Sequence, residues 1–196
     1  MYGYRVLLAI SDPLERVQLR EILLRLGHNV VAVATEARAA LRLAFEVHPD
    51  VFIFDASLPD HGGAGALQIL EDHRLTATVV YSRDETAILE QAKKGWVLSY
   101  LLPPLDGSSV ATAVEVAVAN FQRLTALEQD NIKMRKSLKE RRLVEQARGL
   151  LEEKKRMSER EAYNYLRHLS MNRRLPMAKI AREIIDSLNK NLGEKS

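Results

Sequence analysis

A chain of 196 residues with 46% apolar side chains, nine glycines and six prolines can bury the core of one or two domains. Its lack of cysteine excludes disulfides and thiolate chemistry, and no segment approaches the roughly 18 uninterrupted apolar residues that a membrane span needs. The formal net charge of +3 averages two opposites: residues 131–196 hold 18 Lys+Arg against 9 Asp+Glu, a net +9, and residues 1–130 hold 11 against 17, a net −6.

Such asymmetry points to a polyanion partner for the C-terminal part; a solvated helical surface laced with salt bridges is the plainer alternative. The N-terminal MYGYRVLLAI has no basic region before its apolar run, and polar Ser11-Asp12 follows at once. No signal peptide is therefore expected, and a cytoplasmic location is.

Residues 5–10 form a short apolar run suited to a buried parallel strand. A helix is predicted after Asp12-Pro13, with Val17, Leu19, Leu23, Leu24 and Leu26 facing inward and Gly27 as its stop. Val30–Ala34 reads as a strand and Thr35–Val47 as a helix. Residues 49–55 read as a strand that ends in the carboxylate of Asp55. Residues 64–73 read as a helix, Thr78–Tyr81 as a strand, Glu85–Lys94 as a helix and Ser99–Leu102 as a strand; a long helix starts near Ser108. This alternation predicts an α/β fold over residues 1–107, a flavodoxin-like, doubly wound, five-stranded parallel sheet with helices on both faces.

In such sheets the functional crevice lies outside the carboxyl ends of the strands, where Asp55 stands. With Pro49-Asp50 before it and Pro59 and Gly63 after it, Asp55 resembles the phosphoaccepting aspartate of response-regulator receiver domains. That resemblance implies phosphoryl transfer from a histidine kinase, with a divalent cation to neutralise the transferred charge. The supporting residues depart from the pattern. Ile10 and Ser11 stand where receivers carry an acidic pair, and Asp12 falls one residue late. Leu102 or Pro103 stands at the lysine position, and the hydroxyl position falls near Val80 or Tyr81, with Ser82 close by. Asp55 and Asp12 are thus the expected ligands of a magnesium ion if the site is phosphorylated, a thin set for a hard cation. The other reading keeps Asp55 as a strand-end cap, with the domain a platform for a sensor protein.

From Ser108 no helix breaker occurs until Gly149. Val110, Val114, Ala117, Phe121 and Leu124 recur at 4-3-4-3 spacing, and Leu127, Asn131, Met134 and Leu138 continue the stripe after a slip. This predicts a coiled-coil linker over 108–138, with Asn131 fixing the register of a parallel homodimer. The alternative is an amphipathic helix folded onto its own N-terminal domain.

Residues 139–192 read as three helices on a shared core. The first turns Leu143, Ala147, Leu150 and Leu151 inward. Ser158 and Glu161 form a capping box for the second, with Met157 and Ala162 as its staple, and Ala162, Tyr163, Leu166 and Leu169 on its apolar face. The third starts near Pro176 and buries Ile180, Ala181, Ile184 and Leu188. The run Ala147-Arg148-Gly149-Leu150-Leu151, with Ser158, Glu161-Ala162-Tyr163, Leu166-Arg167 and Ile180-Ala181, resembles the ANTAR domain of bacterial antiterminators.

That resemblance implies binding to hairpins in leader RNA and transcription antitermination. The basic residues expected to carry it are Arg148, Arg167, Arg173, Arg174 and Lys179, with Gly149 allowing close approach. The competing expectation is a helix-turn-helix over 158–188 with its third helix in the major groove of DNA. No nucleophile–base pair, glycine-rich phosphate loop or metal cluster is read from the sequence, so no catalytic role is expected.

Overall fold

Asp12 starts the first helix, as expected of a carboxylate ahead of Pro13: its side chain accepts from the amides of Leu14 and Glu15. In the computed structural model, which describes residues 3–58, 63–73, 75–84, 86 and 97–193, this helix is α1 (Pro13–Arg25). It follows β1 (Arg5–Ala9) and ends at Gly27. There φ is +84°, and the amides of Gly27 and His28 reach back to the carbonyls of Leu24 and Leu23. That is a Schellman closure, which only glycine adopts without strain.

The sheet unit continues with β2 (Asn29–Ala34), α2 (Ala37–Val47), β3 (Val51–Asp55), α3 (Gly63–His73), β4 (Ala77–Tyr81) and β5 (Ser99–Leu101). All pairings are parallel, in the order β2-β1-β3-β4-β5, the flavodoxin-like order expected from the alternation. Every residue of β3 and β4 is buried, as a sheet covered on both faces requires. Successive residues of β1 part to the two faces. Val6, Leu8 and Ile10 meet Leu19, Ile22 and Leu23 of α1 together with Val110, Val114 and Ala117. Leu7 and Ala9 meet Ala37, Ala40 and Ala44 of α2, with Leu70 of α3. Of the helix expected over Glu85–Lys94, Thr86 is helical, and the other positions lie outside the described residues.

Two expectations about helix faces are corrected. In α1 the buried set is Leu19, Ile22 and Leu23, whereas Val17 (57%), Leu24 (53%) and Leu26 (37%) stay exposed. Steps of three and four from Leu19 select Ile22, not Val17, so the expected set spans two faces.

The second correction concerns α4 (Gly107–Lys155), one continuous helix. Val110, Val114 and Ala117 have no exposure, and Phe121 packs against the same cluster. Val114, Ala117 and Phe121 therefore belong to the core of the sheet unit, and no second chain can use them as a dimer seam. Past Phe121 the apolar positions face solvent: Leu124 at 36%, Leu127 at 61%, Met134 at 66% and Leu138 at 56%, with Asn131 exposed among them. The ten residues from Phe121 to Asn131 rotate by about 1000°, so the later stripe sits about 80° away from the earlier one. The slip seen in the sequence marks this change of face, beside the boundary between the two compact units, Met1–Ala126 and Leu127–Ser196.

The second unit comprises the end of α4, α5 (Glu159–Arg173) and α6 (Met177–Gly193). Its core is Ala147, Leu151, Ala162, Leu166, Ile180, Ala181, Ile185 and Leu188, with Leu143, Leu150, Met157, Leu169 and Ile184 packed at its edge. The capping box forms as read. Ser158 Oγ accepts from the Glu161 amide (3.4 Å), and Glu161 accepts from the Ser158 amide (2.8 Å) and hydroxyl (2.7 Å). Those bonds hold the Glu161 carboxyl below its ordinary pKa, the backbone amide of Ser158 contributing most.

Candidate functional site

Asp55 closes β3 at the carboxyl edge of the sheet and is only 2% exposed. Its carboxylate is satisfied from within the chain. Ser11, just past β1, donates its amide (3.0 Å) and its hydroxyl (2.5 Å) to Oδ2. Ser57, two residues on, donates its amide (2.8 Å) and its hydroxyl (2.6 Å) to Oδ1, an Asx turn. The two hydroxyl oxygens lie 3.4 Å apart, so the serines bracket the carboxylate from both sides.

Asp12, expected beside Asp55 as a cation ligand, is engaged elsewhere. Oδ1 caps α1, accepting from Leu14 (2.8 Å) and Glu15 (3.1 Å), and Oδ2 accepts from Arg83 (2.7 Å). Arg83 also donates to Glu15 at 2.8 Å. The Glu15 amide bond, then the Arg83 contact, hold the Asp12 carboxyl below its usual range. Ser82, the candidate phosphoryl-holding hydroxyl, donates to the Asp84 carbonyl (3.1 Å) and accepts from the Asp84 amide (3.0 Å). Leu102 follows β5 where a lysine would be needed.

These residues do not fit a magnesium ion. A hard cation needs several oxygen ligands without competing donors, whereas Asp55 already accepts four hydrogen bonds. Among the described residues no group of three His, Asp or Glu could hold a metal. Sequence reading missed Arg83, which reaches its partners from about 70 positions away with no local signal. Ser57 had one, since Asp-x-Ser at a strand end is a turn signature.

In the C-terminal unit the expected basic residues divide into two groups. Arg148, expected to present its charge to RNA, sits among three carboxylates: Glu145 at 2.5 Å, Glu159 at 3.1 Å and Glu152 at 3.5 Å. Its side chain is 25% exposed. Glu145 and Glu152 are its neighbours along α4, and Glu159 opens α5, so Arg148 ties the two helices together. The charge expected to face RNA is thus engaged within the fold. Arg173 pairs with Glu183 across to α6 at 2.9 Å. Arg167, Arg174 and Lys179 are exposed, and among the described residues they make no ion pair. Arg174 ends α5 in the left-handed region, φ +52°, a position glycine fills at lower cost.

Gly149 is exposed within α4, and a Cβ added there meets nothing within 4 Å. Gly149→Ala is therefore expected to stabilise the helix by about 0.5–1 kcal/mol, read as a higher urea midpoint at unchanged slope. A concurrent loss of affinity for stem–loop RNA would mark Gly149 as a point of close backbone approach, and unchanged affinity would remove it from the interface.

Tyr163, expected in the core, is 43% exposed. The buried positions of α5 are Ala162 and Leu166, with Leu169 at the edge, and Tyr163 stands one step off that 4-3 series. Arg160, also exposed, was not singled out from the sequence at all.

Residues 133–185 match the family model described as the ANTAR domain. The chain is 33% identical over 186 residues to the transcriptional regulatory protein PdtaR of Mycobacterium tuberculosis, covering 94% of this chain and 90% of that one. It is 26% identical over 144 residues to the aliphatic amidase regulator of Pseudomonas aeruginosa, covering 72% and 73% of the two chains. The signal receiver domain of NarL from Mycobacterium tuberculosis superposes on 61% of this chain and 98% of its own, with a TM-score of 0.56 at 29% identity.

Proposed function

Because this chain belongs to the family of transcriptional regulatory proteins that join a receiver domain to an ANTAR domain, we propose that it is a transcription antiterminator. In this reading its C-terminal unit holds a stem–loop in a leader transcript and keeps a terminator from forming. The observation that carries it is the set of exposed cations on the segment matched by the family model, Arg167, Arg174 and Lys179, which form no ion pair among the described residues, in a region of net charge +9 (18 bases, 9 acids). Hairpin loops offer phosphates and unstacked bases to such a surface.

The receiver gates this unit through a partner surface, with a sensor protein favoured over a histidine kinase, since Ser11 and Ser57 already satisfy Asp55. A homodimer would rest on the stripe Leu124, Leu127, Asn131, Met134 and Leu138 alone. A seam of about two heptads is marginal by itself, so pairing tightens when two C-terminal units hold one RNA. The role is regulatory, with no catalytic step, and its place is the cytoplasm; no helix among the described residues is long and apolar enough to cross a membrane.

The test compares gel shifts of a stem–loop RNA and a duplex DNA of the same sequence. The RNA is expected to shift, with log affinity falling linearly as log salt rises, and the DNA is expected to remain free. The reverse order would favour the helix-turn-helix alternative. In α6 the inward positions Ile180, Ala181, Ile185 and Leu188 are core, and among its exposed residues Lys179 and Arg182 suit phosphates better than base edges.

A further inference from the structure

The outer face of α5 carries cations without local counter-charges. Its two carboxylates are both engaged in holding the fold, Glu161 in the capping box and Glu159 on Arg148. Its arginines are not, apart from Arg173, which pairs with Glu183. At about 100° per residue, Arg160 and Arg167 fall within about 60° of arc from Tyr163, three positions before it and four after. Exposed Met171 (65%) extends the same side, and Arg174 stands at its end. The result is a half-exposed aromatic ring set beside two guanidinium groups that form no ion pair among the described residues.

We infer that this face, Tyr163 flanked by Arg160 and Arg167, is the base-contacting surface: the Tyr163 ring stacks on an unpaired base of an RNA loop while the arginines hold the neighbouring phosphates. This rests on the RNA-binding reading above. Unpaired bases present a bare π face and a flanking negative backbone, the complement of a ring between cations, whereas a duplex hides its bases. A protein partner with an acidic surface would need the charges but not the ring.

The same helix supplies an internal control. Tyr165 is equally exposed, at 43%, but its neighbours at one turn are Glu161, Ala162, His168 and Leu169. It has the same chemistry and the same accessibility without flanking arginines.

The experiment uses the full-length chain and a pool of stem–loop RNAs with randomised loops. Bound members are recovered and re-made with 2-aminopurine at each loop position in turn. The wild type is expected to quench one such position. Tyr163→Ala is expected to abolish that quench and weaken binding about 10- to 100-fold, while Tyr163→Phe and Tyr163→Trp bind like wild type. Tyr163→Ala should leave the slope of log affinity against log salt unchanged, and Arg167→Gln should lower it by roughly 0.7–0.9. Tyr165→Ala should change nothing. Wild-type affinity in Tyr163→Ala, or an equal loss in Tyr165→Ala, overturns the assignment while RNA binding itself stands. Failure of the wild type to recover any stem–loop, even at low salt, overturns the reading beneath it as well.

Discussion

Leu166→Ala is expected to unfold the C-terminal unit and abolish RNA binding while the sheet unit melts unchanged. Leu166 has no exposure and stands in a core of eight buried side chains drawn from α4, α5 and α6. Removing its branched end deletes transfer energy and leaves a cavity, together about 2–5 kcal/mol. A small domain has on the order of 5 kcal/mol to lose, and this unit adds neither disulfide nor sheet. The two cores of the sheet unit share no residue with it, so the damage stays local. Two probes separate the units in a urea titration. The near-ultraviolet circular dichroism of the buried Phe52, Phe54 and Tyr81 follows the first, and loss of far-ultraviolet helix signal at lower denaturant follows the second. Leu166→Met, which conserves volume, should cost under about 1.5 kcal/mol. Coincident loss of both signals in Leu166→Ala would show instead that the two units unfold as one.

The second large effect is expected at Asp55. A phosphoacceptor is held for chemistry, and such residues are often replaced at no cost or even with a gain in stability. Asp55 is bonded as a structural residue is. Asp55→Ala strips the acceptor from two amides and two hydroxyls in a buried crevice, and unsatisfied buried donors cost about 1–3 kcal/mol each. Since the hydroxyls can rotate to other partners, about 2–5 kcal/mol is expected, read as a lower urea midpoint of the near-ultraviolet signal. Asp55→Asn keeps one acceptor oxygen and should cost less. Incubated with acetyl phosphate and magnesium, the wild type is expected to show no phosphoryl adduct by intact mass. A stoichiometric adduct, with a neutral Asp55→Ala, would return Asp55 to the role of phosphoacceptor.

The alternation of strands and helices, the strand-end position of Asp55 and the Ser158–Glu161 cap could all be read directly, because each is written in residues close along the chain. What escaped was decided at a distance. Periodicity showed that Val114 and Ala117 lie on an apolar face, but an apolar face does not say what covers it, and here the cover is the chain's own sheet. Charge counting marked Arg148 as basic, and Glu159, which reaches it from the next helix, leaves no signal at local spacing. Arg83 became visible only when the ends of β1 and β4, on either side of β3, came to the same edge of the sheet. Tyr163 was misplaced by a single residue of helical phase, the least margin that separates core from surface.

Two helices of the C-terminal unit are followed by arginines, Arg156 and Arg174, in left-handed backbone conformation at φ +53° and +52°. Glycine at either position would relieve about 1 kcal/mol. Heat resistance and affinity for a polyanion thus pull these two positions in opposite directions. Directed evolution for thermal tolerance alone would drift toward glycine and carry off two positive charges. A screen intended to harden this regulator therefore has to score nucleic-acid capture in every round, or it will select a sturdier protein with a weaker hold on polyanions.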